Sequence, residues 1–237
     1  MSRVRTLEVS HSYFGPLALQ ELLVDRNRGR QPGDCKDGDR MTGTDRLCNT
    51  IEVLGAAPFY DETDGIAQAI LSNCPRLRSL QASKITVTEI VHGAQWVCSR
   101  IENLRLYFNM DLDPESEEGM MNQRLVFKRL GELTGLQELA LADHYSTRTL
   151  DLRLRAGLNE LANLKSLTTL SFSYDICQAI GPEEARWIVK NWTRIKHLDG
   201  VLNNDPDIVE LIASIFRLHG IQHYRERRII RRQVCII

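Results

Sequence analysis

Apolar residues return with the same spacing in five segments of the chain. Each segment contains an apolar residue, a second one three positions later and a third one three positions after that. The segments lie at 74–80, 98–106, 133–141, 164–172 and 192–198. They align without gaps, which predicts that the chain is a repeat protein.

The last part of each segment predicts a short β-strand, because apolar and polar residues alternate there. Between the segments, apolar residues follow helical spacing and predict helices at 123–133 and 152–164. The side chains expected on their inner faces are Leu125, Val126, Leu130 and Leu133 in the first, and Leu154, Leu158, Leu161 and Leu164 in the second. Pro182 predicts the start of a further helix, since proline fits the first turn and two glutamates follow it.

The middle apolar residues of successive segments, from Leu77 to Ile195, are 24, 35, 31 and 28 positions apart. These distances lie around the roughly 20 to 29 residue period of leucine-rich repeats, with longer insertions. The pattern therefore predicts an α/β leucine-rich-repeat solenoid, a curved horseshoe with parallel strands on its concave face and helices on its convex face. We expect three regions: divergent N-terminal repeats at 1–65 with a mobile loop at 25–46, leucine-rich repeats at 66–203, and a C-terminal capping helix with a basic tail at 204–237.

Cys74 and Cys98 take the first apolar position of their segments, where other segments have leucine or tryptophan. Such equivalents predict buried thiols that act as small hydrophobic side chains and ionise with difficulty. The six cysteines include no C-x-x-C pair, and the N-terminus lacks the apolar run of a secretory signal. We therefore expect reduced cysteines in a cytoplasmic or nuclear protein.

Alternation within the strands points one set of side chains away from the core, and this set is the candidate protein-binding face. Aromatic and polar residues in the loops after the strands extend it, because tyrosine beside charge is typical of interfaces. The candidates are Asn103, Arg105, Tyr107, Glu138, Ser171, His197 and Asp199 in strands, and His144, Tyr145 and Tyr174 in loops. The loop aromatics could equally serve to cover the strand ends.

The net charge of -1 gives no general attraction to nucleic acid or membrane. Residues 224–237 differ from this average, with five arginines against one glutamate. A basic amphipathic helix there would give an alternative function, an adaptor that associates with anionic membrane or RNA through this tail. The simpler interpretation is that its isoleucines cap the last repeat while its arginines stay in water.

No motif in the chain indicates an enzyme, a cofactor or a metal site. The acidic stretch at 34–39 lacks the later ligands of an EF-hand, and the phosphate-binding glycine motifs and the G-x-S-x-G motif are absent. His219 and His223 lie one helical turn apart, but surface histidines are the better interpretation. The acidic insertion at 111–121 is expected to be a solvated loop that lengthens one repeat.

The runs 73–80, 95–106, 130–139 and 184–192 resemble the leucine-rich repeats of large fungal F-box proteins, which are of the ribonuclease-inhibitor-like kind. The resemblance covers about residues 66–203, while the first 50 residues contain no recognisable F-box. In that family the F-box recruits the Skp adaptor and a cullin ubiquitin ligase, and the repeats hold the protein to be ubiquitinated. The resemblance thus implies a non-catalytic protein-binding module for substrate recognition, with Skp adaptor and cullin as expected partners if an unrecognised F-box is present.

Overall fold

The computed structural model describes residues 4–9, 14–24, 46–56, 65–141, 149–173, 175 and 178–224. Over these residues the chain forms an α/β fold with one eight-stranded parallel sheet. The strands follow one another across the sheet in chain order, so that each strand pairs with the next one in the sequence. The predicted α/β class with parallel strands is confirmed.

The strands are short and share one register. They are β1 (Thr6–Val9), β2 (Val53–Ala56), β3 (Ser79–Thr86), β4 (Asn103–Asn109), β5 (Glu138–Ala140), β6 (Thr169–Phe172), β7 (His197–Gly200) and β8 (Gln222–Tyr224). A single inward row of leucines runs across the paired strands from β1 to β7: Leu7, Leu54, Leu80, Leu104, Leu139, Leu170 and Leu198. All but Leu7 are at most 1% exposed, and each buried leucine contributes about 1.5–3 kcal/mol to the stability of the fold.

From β1 to β6, one backbone carbonyl before the strand accepts hydrogen bonds from two successive N–H groups of the next unit. The carbonyl of Glu102 accepts from Gln137 at 2.7 Å and from Glu138 at 3.0 Å, and the carbonyl of Thr168 does the same for Lys196 and His197. Because this paired contact recurs along the sheet, every strand begins at the same level as its neighbour. It explains why the leucines stay in one row.

Within the described residues, six α-helices cover the side of the sheet that the leucines face, and their buried residues form one continuous core with the leucine row. The helices are α1 (Pro16–Leu23), α2 (Ile66–Asn73), α3 (Val87–His92), α4 (Glu117–Gly131), α5 (Pro182–Asn191) and α6 (Pro206–Leu218). Helix α5 begins at Pro182, as predicted. Throughout the described ranges, no helix has both the length and the apolar character required to cross a membrane.

Helix α4 begins earlier than the sequence pattern predicts. The Ser116 hydroxyl accepts a hydrogen bond from the N–H of Gly119 at 2.9 Å and caps the helix, so the end of the acidic insertion belongs to its first turn. Leu125 was expected on the inner face but is 42% exposed. Val126 faces the core as predicted, and Phe127 faces it in place of Leu125.

The predicted α-helix at 152–164 is wrong, since the chain forms two 3₁₀-helices there, Leu154–Ala156 and Leu158–Asn163. Gly157 separates them with φ of +111°, a left-handed conformation through which an α-helix does not continue. Leu158, Leu161 and Leu164 are nevertheless buried as expected. Spacing of three residues serves a 3₁₀-helix as well as an α-helix, so the apolar pattern could not distinguish them.

Two buried glutamines hold the irregular backbone around residues 149–156. Gln178 donates to the carbonyl of Leu150 at 2.8 Å and accepts from the N–H of Leu152 at 3.0 Å. Gln123 in α4 accepts from the N–H of Asp151 at 2.8 Å and donates to the carbonyl of Ala156 at 3.0 Å. These bonds replace the helix or sheet partners that a buried backbone otherwise needs.

The repeat pattern begins one unit earlier than the sequence analysis recognised. Cys48 precedes Ile51 and Leu54 with the same spacing, and all three are buried. The sheet also continues beyond residue 203, because β8 pairs with β7. The division into regions at 65 and 203 stays a prediction, and residues 25–45 lie outside the described residues, as do residues 225–237.

Candidate protein-binding surface

The side of the sheet opposite the helices carries two rows of side chains, each contributed by successive strands in register. One row contains Ser79, Asn103, Glu138, Thr169, His197 and Gln222. The other contains Gln81, Arg105, Ala140, Ser171, Asp199 and Tyr224. None of these side chains is fully buried, so the hydrogen-bonded backbone presents a continuous polar surface.

Arg105 and Glu138 lie on neighbouring strands and form an ion pair across them. The guanidinium Nη2 is 3.2 Å from the carboxylate Oε2, and both side chains are more than 40% exposed. Exposed pairs of this kind contribute about 0.2–1 kcal/mol, so they orient the side chains more than they stabilise the fold. Arg105 therefore keeps most of its capacity to contact a partner.

Tyr107 marks the end of β4 on the same side of the sheet. Its hydroxyl donates to Asn109 Oδ1 at 3.1 Å, and Lys84 Nζ lies 5.9 Å from the centre of its ring. The ring is thus held between an amide and a cation on the neighbouring strand. An aromatic ring fixed in this way loses little conformational entropy when a partner binds.

Ser171 on β6, Ser173 just after it and Asp199 on β7 form a hydrogen-bonded cluster. The Ser173 hydroxyl lies 2.5 Å from Asp199 Oδ2, and the two serine hydroxyls are 2.7 Å apart. The hydroxyls reach the carboxylate directly, without a histidine between them as in a catalytic triad. The arrangement orders this part of the polar surface.

His197 stacks on Tyr224 of β8, the last strand that the structure describes, with ring centres 6.0 Å apart. The Tyr224 hydroxyl donates to Gln222 Oε1, and its side chain is about half exposed. Tyr224 was predicted to belong to the basic tail at 224–237, whereas it ends β8. The alternation of Gln222, His223 and Tyr224 was the signal for an eighth strand, but three residues were too few to recognise.

The predicted strand residues of the candidate face all lie on this exposed side: Asn103, Arg105, Tyr107, Glu138, Ser171, His197 and Asp199. The predicted loop residues His144, Tyr145 and Tyr174 lie outside the described residues. The structure thus brings the first group together and leaves the second group as a prediction.

The carboxylates of the acidic insertion at 111–121 are exposed to solvent as predicted, but the insertion is a loop only up to residue 116, because helix α4 begins at Glu117. Glu115 accepts from Arg153 Nη2 at 2.8 Å and from Arg155 Nη2 at 2.6 Å, and these contacts lower the pKa of its carboxyl group. The same network raises the pKa of Arg153, mainly because its guanidinium donates hydrogen bonds to the Asp151 carboxylate. Glu117 begins helix α4, where its charge complements the helix dipole. The insertion is therefore attached to the body of the protein.

The buried thiols and the rest of the described chain give no indication of metal chemistry. Burial raises the pKa of Cys74 to about 12 and that of Cys98 to about 11, so both thiols stay protonated at neutral pH. Cys48 is also buried and has a raised pKa for the same reason. Within the described ranges, no three His, Cys, Asp or Glu side chains are grouped as a metal site requires.

Comparison with known proteins does not assign the chain to a family. No protein-family model matches the sequence, and the curated proteins contain no match to it. The surface described above is therefore interpreted from its own geometry.

Proposed function

We propose that this chain is a leucine-rich-repeat solenoid that acts as a non-catalytic protein-binding module. The exposed side of the sheet is then the concave face of a curved horseshoe, and the helices lie on its convex side. The in-order parallel strands and the single leucine row support this proposal, since stacked repeats build a continuous core from equivalent positions.

The observation that carries the proposal is the pair of polar rows across the sheet. The rows contain short polar side chains together with Arg105, His197 and Tyr224. Arginine and tyrosine are among the residue types that dominate binding energy in interfaces. The rows stand on hydrogen-bonded strands, so the binding surface is already ordered before a partner arrives.

The size of the sheet limits how a partner can bind. Eight strands about 4.8 Å apart span about 34 Å, and strands of four residues are about 13 Å long, which gives about 440 Å² in projection. A standard interface buries about 800 Å² on each partner. A protein partner would therefore contact residues beyond the strand ends as well as the two rows.

A role in substrate recognition for a Skp-cullin-F-box ubiquitin ligase is the specific form of this proposal. It rests on the resemblance of residues 66–203 to the repeats of fungal F-box proteins, whose repeats hold the protein to be ubiquitinated. The partner is then a protein substrate, and the chain works in the cytoplasm or nucleus, where the ligase and its substrates meet.

The test is affinity purification of the tagged chain from its own cells with the proteasome inhibited, followed by mass spectrometry. The wild type is compared with a face variant, Arg105→Glu with Asp199→Lys, and with a helix variant of the same charge change, Lys128→Glu with Glu183→Lys. We expect a protein that is recovered with the wild type and the helix variant but lost with the face variant. Recovery of the Skp adaptor and cullin supports the ligase role, whereas equal loss with both variants contradicts the assignment of the face.

A further inference from the structure

A polar groove of about 560 Å³ opens at the edge of the sheet where strands β3, β4 and β5 begin. Its walls come from turns that precede neighbouring strands. The lining residues are Glu52, Arg76, Arg78, Arg100, Glu102, Gly135, Gln137 and Ser166. Gly135 and Ser166 take the positions that Arg76 and Arg100 hold in earlier units. One part of the groove is therefore lined by two long side chains and the next part by two small residues.

This edge of the sheet is basic although the whole chain has a net charge of -1. The exposed turn positions from β2 to β7 contain six basic residues and two acidic ones, a net charge of +4. The basic residues are Arg76, Arg78, Arg100, Lys165, Arg194 and Lys196, and the acidic residues are Glu52 and Glu102. Such a local excess attracts acidic groups over a range of about 8–10 Å at physiological salt.

The charges inside the groove are only partly used by the fold. Arg78 Nη2 lies 2.6 Å from Glu102 Oε1. Arg5, the residue before β1, has its Nη1 atom 3.6 Å from Glu52 Oε1. Arg76 and Arg100, by contrast, form no ion pair with any of the residues that the structure describes. They occupy equivalent positions in the turns before the paired strands β3 and β4, which places their backbones about 5 Å apart.

We propose that this groove binds an acidic segment of the protein partner, with Arg76 and Arg100 each contacting a carboxylate. Guanidinium groups present paired donors that match a carboxylate. Glu52, Glu102 and Gln137 supply acceptors for the N–H groups of a peptide backbone, which a polyphosphate lacks. The inference rests on the proposed protein-binding function and extends its surface beyond the sheet.

The experiment measures binding of synthetic fluorescent peptides to the full chain by anisotropy at 50 mM and 200 mM salt. The probes are a ten-residue peptide of alternating glutamate and glycine, its glutamine counterpart, and a ten-nucleotide single-stranded RNA. Three proteins are compared: the wild type, the groove variant Arg76→Gln with Arg100→Gln, and the control Lys128→Gln with Arg186→Gln. The control removes the same charge from exposed helix positions.

We expect the glutamate peptide to bind the wild type and the control equally, and the groove variant about tenfold more weakly, as two exposed charged contacts imply. The glutamine peptide should bind none of them measurably, and binding should weaken at higher salt. Equal binding by the groove variant and the control, or no binding of the glutamate peptide, overturns the proposal. Tighter binding of RNA through Arg76 and Arg100 also overturns it.

These outcomes are separable from those of the partner purification. A partner that is lost with the sheet-face variant but retained with the groove variant leaves the protein-binding function standing and removes only the groove from it. A partner lost with the groove variant and retained with its control supports both.

Discussion

Replacement of Leu139 by aspartate tests whether the sheet has one buried side and one exposed side. Leu139 lies in β5 between Leu104 and Leu170 of the neighbouring strands, and it is 1% exposed. Ala140 is the next residue and points to the opposite side, beside Arg105 in register. An aspartate can therefore be placed at two adjacent positions that differ only in the side of the sheet they face.

The expected magnitudes differ by several kcal/mol. Truncation of a buried leucine to alanine costs about 2–5 kcal/mol, because it removes apolar contacts and leaves a cavity. An aspartate adds the cost of burying a polar group without partners, so Leu139→Asp removes most of a typical stability of about 5–15 kcal/mol. Ala140→Asp on the polar surface changes the free energy of unfolding by about 0.5 kcal/mol or less.

The assay is urea unfolding followed by circular dichroism, with thermal melting as a second readout. For a chain of this length, 1 kcal/mol shifts Tm by about 2–4 °C, so Leu139→Ala should lower it by about 4–20 °C. Leu139→Asp should be largely unfolded in buffer, while Ala140→Asp should melt with the wild type. Unchanged melting of Leu139→Asp, or equal losses for the two aspartates, would refute the assigned alternation.

Three further predictions follow from buried and paired groups. The thiols of Cys74 and Cys98 should not react with a thiol reagent at pH 8 until the chain unfolds, and stability should fall as pH rises above about 9, because the unfolded thiols ionise while the folded ones stay protonated; fast reaction in the native state would contradict this. Glu115→Gln should lower stability at pH 7 by less than about 1 kcal/mol, and the difference from wild type should disappear as pH falls below the lowered pKa of Glu115, since that contribution requires the ionised carboxylate. Gln178→Ala should cost about 2–5 kcal/mol in urea unfolding, because it leaves a buried N–H and a buried carbonyl without partners; a loss below 0.5 kcal/mol would show that water replaces the amide.

The strand positions could be predicted because they depend on a short pattern with strong physical constraints. A strand buried on one side must alternate, and equivalent leucines must recur wherever strands stack. The repeat segment that begins at Cys48 was not predicted, because the residues around Leu54, namely Glu52, Val53 and Gly55, differ from those of the later segments. The 3₁₀-helices at 154–163 were missed because a left-handed glycine, Gly157, decides between helix types that share the same apolar spacing.

Contacts between distant side chains could not be predicted in the same way. Glu115 forms ion pairs with Arg153 and Arg155, which lie about 40 residues later in the sequence. The residues near Glu115 do not indicate these partners. The strand part of the candidate face followed from alternation alone. The groove with Arg76 and Arg100 required the register between neighbouring turns, which appears only when the strands are paired.

Site-specific photo-crosslinking tests the central claim most directly, namely that the exposed side of the sheet binds another protein. A photoreactive amino acid is introduced at Ser171 on the sheet and, as a control, at Lys128 on helix α4, and the full chain is irradiated in its own cells. We expect a discrete crosslinked protein at Ser171 and none at Lys128. Crosslinks at Lys128 alone, or at neither position, would contradict it.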